Sequence, residues 1–487
     1  MKKWFKRFAL FVGGLALLIV IGAFVEWQIA VNAGKTRLNK VREALNAAEP
    51  GWQLDDLNSR RNANLPPDDQ NVAVVTKRII EQFPKEFSEW ERSLVSDPRG
   101  ELKPNHLVKP ETIVELRKQL VPVQPLIVRM HEIRKFPTGG FKIDFPHPNP
   151  ISFDLKDTQQ LREAANKLSW NMILSTQDND PDTAIEICRT SAHLRHAVGD
   201  EPTLISQLVR IALVAIAINS TERVLGMTEP KKGLAELQAD FEMALKEQDF
   251  AKGVAGERAL QDRICENMAN GSMTAAAVAG APPSGPLDSL GQAFLSRFIR
   301  DNHAQILELI TAFRNSIQLQ GKERSEAMKK IPMPNTRTIS NVYVRLLMPA
   351  IEKVMEAHLR TEAKLATISA AIACERYRQV KGKWPEKLSD IPKDILKEIP
   401  LDPYVGEPVK YKKNDKGVVI YATGKDETDD GGVQLDIMGT KPKTDVGIQL
   451  YDPAKRRLPP EVKADDILDV PPPLEPDPEP KPIKTKN

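Results

Sequence analysis

His193 and His196 stand three residues apart in a segment with helical periodicity, a spacing that lets two imidazoles face one metal ion. Glu186 and Cys188 lie too far along the same helix to complete a ligand set without a contact made by the fold. The ordinary reading of such a pair is two packing or surface histidines. His131-Glu132 lacks the second histidine of a zinc-protease motif, and the chain has no Walker loop, GxGxxG or GxSxG. Cys188, Cys265 and Cys374 are odd in number and far apart, with no CxxC spacing, so they read as small buried hydrophobes. Two Glu-Arg neighbours, Glu257-Arg258 and Glu375-Arg376, read as ion pairs bracing helices.

Composition narrows the partners. The 487 residues carry a net charge of +3 with both signs interspersed, and aromatics are 6%. Neither a basic stripe nor a stacking platform is present, so no nucleic acid is expected.

The elements that position these residues begin with an anchor. Residues 8–25 (FALFVGGLALLIVIGAFV) form an uncharged apolar run, preceded by Lys2, Lys3, Lys6 and Arg7 and flanked by Trp4 and Trp27. At a rise of about 1.5 Å per residue the run crosses most of a bilayer core, and residues 27–31 extend it through the interface. A cleaved signal peptide is the rival, with Val31 and Ala33 before Gly34, but the run exceeds the usual signal core and the site lies past its end. The expectation is a single-pass protein of the cell membrane, anchored through residues 8–31. The tail is expected in the cytoplasm and the body on the extracytoplasmic side.

The body is expected to be mainly α. Residues 35–50 continue the anchor as a stalk, which Pro50-Gly51 stops. Pro122 and Pro125 should split a helix over 111–135. Residues 137–154, with Gly and Pro at short intervals, read as an ordered loop or short strand pair. Residues 157–230 read as antiparallel helical hairpins resembling tetratricopeptide pairs in rhythm, though without their repeated signature. The apolar stretch 204–225 contains Arg210, Asn219 and Glu222 and reads as a buried bundle helix. Residues 274–291 read as a linker, with helix resuming at Gln292.

The C-terminal third carries the most specific pattern. An amphipathic helix over 361–381 ends at Gly382, then WPEKLSDI and LDPYVGEPVKYKKNDKGVVIYATGKDETDDGG follow. Residues 408–412 and 418–422 alternate as strands across the Asn414–Gly417 loop, and 433–437 and 447–451 supply further strands. The order of turns resembles the globular domain of type II secretion major pseudopilins, a type IV pilin-like module. The resemblance implies an α+β module and a calcium-binding acidic loop, whose matching residues are Asp426, Asp429 and Asp430. It departs from the family elsewhere. The anchor has no acidic residue before Glu26, and residues 34–360 separate it from the pilin-like helix. The remainder resembles membrane-anchored helical proteins of planctomycete type, a group without an assigned activity.

The expected organisation is therefore a tail and anchor (1–33), a helical stalk and irregular region (34–155), a helical bundle (156–335), a pilin-like module (336–455) and a Pro-rich tail (456–487). Nine prolines among residues 459–487 prevent that tail from forming a core. The function expected is a non-enzymatic, structural or protein-binding role in a bacterial envelope. The alternatives are an accessory of a secretion or pilus-like machine, and a hydrolase whose site is assembled across domains.

Overall fold

The computed structural model describes residues 32–94, 103–274, 286–331, 342–433 and 444–460, with Ile21, Gly22, Val25, Gln28, Ile29 and Ala277. The predicted anchor lies almost wholly outside these residues. So do most of the predicted linker, the end of the 433–437 strand and the tail after Pro460.

Helix α1 (32–48) opens the described body, and Gly51, at φ 72°, turns the chain into α2 (Leu54–Ala63). α1 is no free stalk. Leu38, Leu45, Trp52 and Leu54 bury themselves against Leu260 and Ile264 of one helix and Ile299 and Leu307 of another. Helices α3 (Val72–Ile80) and α4 (Lys85–Ser93) follow. The prolines split the next helix as expected: α5 (Pro110–Leu120) and α6 (Gln124–Met130) are separated by a 3-10 turn at Val121–Val123.

Residues 137–149 form no strand. Their backbone is satisfied by side chains instead. Asn71 brackets Gly140, donating to its carbonyl and accepting from its N–H. Arg61 donates to the Phe141 carbonyl, and Asn58 and Asn62 donate to that of Ile143. A segment tucked against helices needs such partners, because an unpaired buried backbone group costs about as much as a lost hydrogen bond.

The centre is helical hairpins: α7 (Lys156–Gln177), α8 (Pro181–His193), α9 (Leu204–Met227), α10 (Leu234–Ala244) and α11 (Asp249–Ala269). Asp180 caps α8 and Thr203 caps α9 with side-chain oxygens. α9 has the length and apolarity to cross a membrane, but it is mostly buried in the body, with Arg210, Glu222 and Arg223 buried on it. It is a core helix, as its charges predict. Then come α12 (Pro286–Gln318), which begins inside the predicted linker, and α13 (Gly321–Lys329).

The spine of the C-terminal part is α14 (Val342–Lys381), closed by Gly382 at φ 72°. Its second half packs on a three-stranded antiparallel sheet, β1 (Lys410–Asn414), β2 (Gly417–Ala422) and β3 (Val446–Tyr451), in the order β1-β2-β3. Asn414 accepts from the N–H groups of Lys416 and Gly417, closing the hairpin at the predicted place. One apolar core runs from α7–α9 through Ala366, Ile368 and Ile372 of α14 to Val418, Ile420, Ile448 and Leu450 of the sheet. The molecule is thus mainly α with a small C-terminal sheet sharing the bundle's core.

Candidate functional site

The three sequence-selected aspartates lie on one turn, each with its own partners. Asp426 accepts from the Thr428 N–H at 3.2 Å. Asp429 accepts from the Gly431 N–H at 2.9 Å and pairs with the Lys410 ammonium at 3.1 Å. The Asp430 and Gly432 N–H groups donate to Asp445, a residue that sequence reading missed because it lies across residues 434–443. Burial, then the neighbouring Asp429 and Asp430 charges, push the Asp445 carboxyl up, against its two backbone bonds. Among the described residues, no group of three His, Cys, Asp or Glu is arranged to hold a metal ion.

Five of the histidines and all three cysteines are engaged in packing or hydrogen bonds inside the body. The rings of His193 and His196 lie 4.7 Å apart, but His193 Nε2 donates to the Phe136 carbonyl at 2.8 Å, fixing that ring as a structural donor. Burial, with the Arg195 charge behind it, lowers the basicity of His196 far below its usual range. His131 hydrogen-bonds Thr190, His303 meets Asp262 at 2.6 Å, and His358 stacks on Phe250 at 3.8 Å. All three cysteines are buried, and burial pushes each thiol up, away from the reactive thiolate.

The two adjacent Glu-Arg pairs do not form. Glu257 accepts from the Leu204 N–H and from Gln261, while Arg258 reaches Glu49 at 2.8 Å. Glu375 binds Arg378 at 2.6 Å and Arg456 at 3.0 Å, and Arg376 turns to Gln238. Neighbours on a helix point about 100° apart, so i,i+1 residues address different elements.

What the fold assembles instead is a polar cleft of about 510 Å³ between the α1–α2 joint, the loop at Thr138-Gly139 and the first turns of α11. Arg60, Arg61, Lys252 and Arg314 line it, opposed by Glu49, Asp200 and Asp249. Glu49 is shared by Arg258 and Arg314, and their bonds outweigh its partial burial and hold its carboxyl below the usual range. Arg61, almost fully buried, lies 3.3 Å from Asp200. Such a recess can bind and orient a charged group. His196, the imidazole lining it, is held neutral by its burial. No signal in the sequence marks this cleft, since its residues come from segments separated by more than two hundred positions.

No family profile, curated protein or solved structure matches the chain.

Proposed function

We propose that this protein is a membrane-tethered scaffold of the cell envelope, with a non-enzymatic role in binding a protein partner through its extracytoplasmic body. One observation carries the reading: the helix that would leave the membrane is bolted to the body rather than free. Arg42 forks onto Asp262 at 2.9–3.0 Å, Arg37 pairs with Glu308 at 2.6 Å, and Glu49 at the end of α1 receives Arg258 and Arg314. A helix fixed by charge and by Leu38 and Leu45 would hold the body in one orientation at the bilayer. The engagement of His131, His193, His196, His303 and His358 and of the cysteines in packing also favours a scaffold over a hydrolase.

A second reading, an accessory of a secretion machine, is favoured by the seating of α14 on β2 and β3 and by the ordered turns beside them. Trp384 donates to Asp452 at 2.6 Å, and Asp402 accepts from the Tyr404 and Thr423 N–H groups.

The test is fractionation of cells expressing the full chain, followed by protease treatment of intact spheroplasts. The scaffold reading expects the chain in the carbonate-resistant membrane pellet and its body accessible to protease. A chain beginning at Gly34 should be soluble and folded. Full-length chain found in the soluble fraction would sink the tether. Co-purification with secretion-machine components would favour the second reading.

A further inference from the structure

Val114, Val121 and Val128 lie seven residues apart along α5 and α6, and are 70%, 64% and 63% exposed. Single exposed valines are ordinary, but two of these, Val114 and Val121, line one groove of about 530 Å³. Ile113 joins them as its apolar lining, and Arg117, Lys118 and Gln177 supply its polar lining.

The described chain ends at the rim of this groove. Leu458 pairs in parallel with His106, its N–H donating to the Asn105 carbonyl at 2.9 Å and its carbonyl accepting from Leu107 at 2.8 Å. The Pro459 carbonyl lies 2.9 Å from His106 Nδ1. Arg457 donates to the carbonyls of Thr176 and Gln177, so the residue before the exit grips the groove's own wall. The parallel pairing aims the outgoing chain the same way as residues 106–108, which lead directly into α5 at Pro110.

Residues 461–470 come next, with the sequence EVKADDILDV. They combine Ile467, Leu468 and Val470 with Asp465, Asp466 and Asp469. The groove presents the complement, apolar floor and cationic wall. Arg117 and Lys118 are half-exposed or more, and their present pairs with Asp178 and Glu115 are surface contacts worth little. Reach is ample: α5 spans about 16 Å, which about five extended residues cover.

We infer that residues 461–470 of this same chain dock along α5, with Ile467, Leu468 and Val470 on Ile113, Val114 and Val121, and the aspartates facing Arg117 and Lys118. The contact makes the groove a self-occupied site. A partner that binds there has to carry a similar acidic, apolar segment and displace the tail.

The full chain tests this with a cysteine pair, Val121→Cys with Val470→Cys. The native cysteines are buried, so mild oxidation reads the introduced pair. The control pairs Val470→Cys with Ile205→Cys. Ile205 is exposed at the far end of α9, about 31 Å from Gly226, which lies against Pro104 near the tail's exit. The expected result is an intramolecular disulfide forming at least about tenfold faster than in the control, as a high effective concentration requires. In addition, the triple variant D465K/D466K/D469K should speed amide exchange over residues 110–121 relative to the unaltered chain. Equal cross-linking rates, unchanged exchange, or a covalent dimer in place of the internal bridge would each overturn the inference.

Discussion

Two glutamates of α14, Glu362 at its middle and Glu375 near its C-terminal end, ionise in opposite ways. Glu362, toward the bundle, meets one guanidinium, that of Arg324. Burial raises its carboxyl above the ordinary range, and the single arginine does not cancel that. Glu375, toward the sheet, is fully buried, and it receives Arg378 and Arg456 together. Burial opposes ionisation there as well, yet the two guanidinium groups outweigh it and hold the carboxyl below its usual range. Burial opposes ionisation at both, and the more deeply buried carboxyl is the one held ionised, so the number of cations decides the sign. The second cation at Glu375 arrives from residue 456, which also donates to the carbonyls of Thr228 and Tyr451. That knot ties the segment after the sheet to the bundle.

The largest effect should come from cutting the knot. Arg456→Ala leaves Glu375 under-compensated in the core and should cost about 3–5 kcal/mol in denaturant unfolding. A loss below about 1 kcal/mol would show that Arg378 suffices alone. Because the Glu375 carboxyl is depressed, its contribution is present above about pH 4.5 and fades as pH falls through the lower folded value.

Glu222 on α9 extends the contrast. Burial pushes it up to about 7, against the Lys364 charge and the Gln449 N–H. Its sign is opposite: the contribution is full below about pH 4.5 and is lost as pH rises through about 7. Glu222→Gln should therefore gain on the unaltered chain between pH 4.5 and pH 8, by on the order of 3 kcal/mol. A pH-independent difference in melting would remove Glu222 from this class.

Glu362→Gln should be milder, about 1 kcal/mol or less, because the amide oxygen can still accept from Arg324 and burial already disfavours the charge that the substitution removes. If this variant falls as far as Arg456→Ala, the contrast between the two glutamates fails. The smallest change is expected at the acidic loop. With Lys410 already on Asp429, chelating calcium from the full chain should move its melting temperature by less than about 1 °C. A larger drop would make the loop a calcium site.

Local pattern was legible where a local cause acts. Pro122 and Pro125 break a helix by chemistry that needs no partner, and Asn414 to Gly417 close a hairpin within four residues. The charges of α9 mark it as a core helix for the same reason, since Arg210 and Glu222 must find partners that lipid does not offer. The polar cleft was not legible, because Glu49 and Arg61 of the α1–α2 joint meet Asp200, Asp249 and Arg314 only after distant segments pack. Asp445 was hidden in the same way.

The sequence by itself determined the helices, the hairpin and the apolar faces, because backbone propensity and periodicity act over a few residues. The tertiary structure alone decided that α1 is docked rather than a stalk and that residues 137–149 are held by asparagines. It also decided that Glu375 answers to Arg456 and not to Arg376. Charge partners across long separations are chosen by which surfaces the apolar core brings together, and one step along a helix turns a side chain toward a different neighbour.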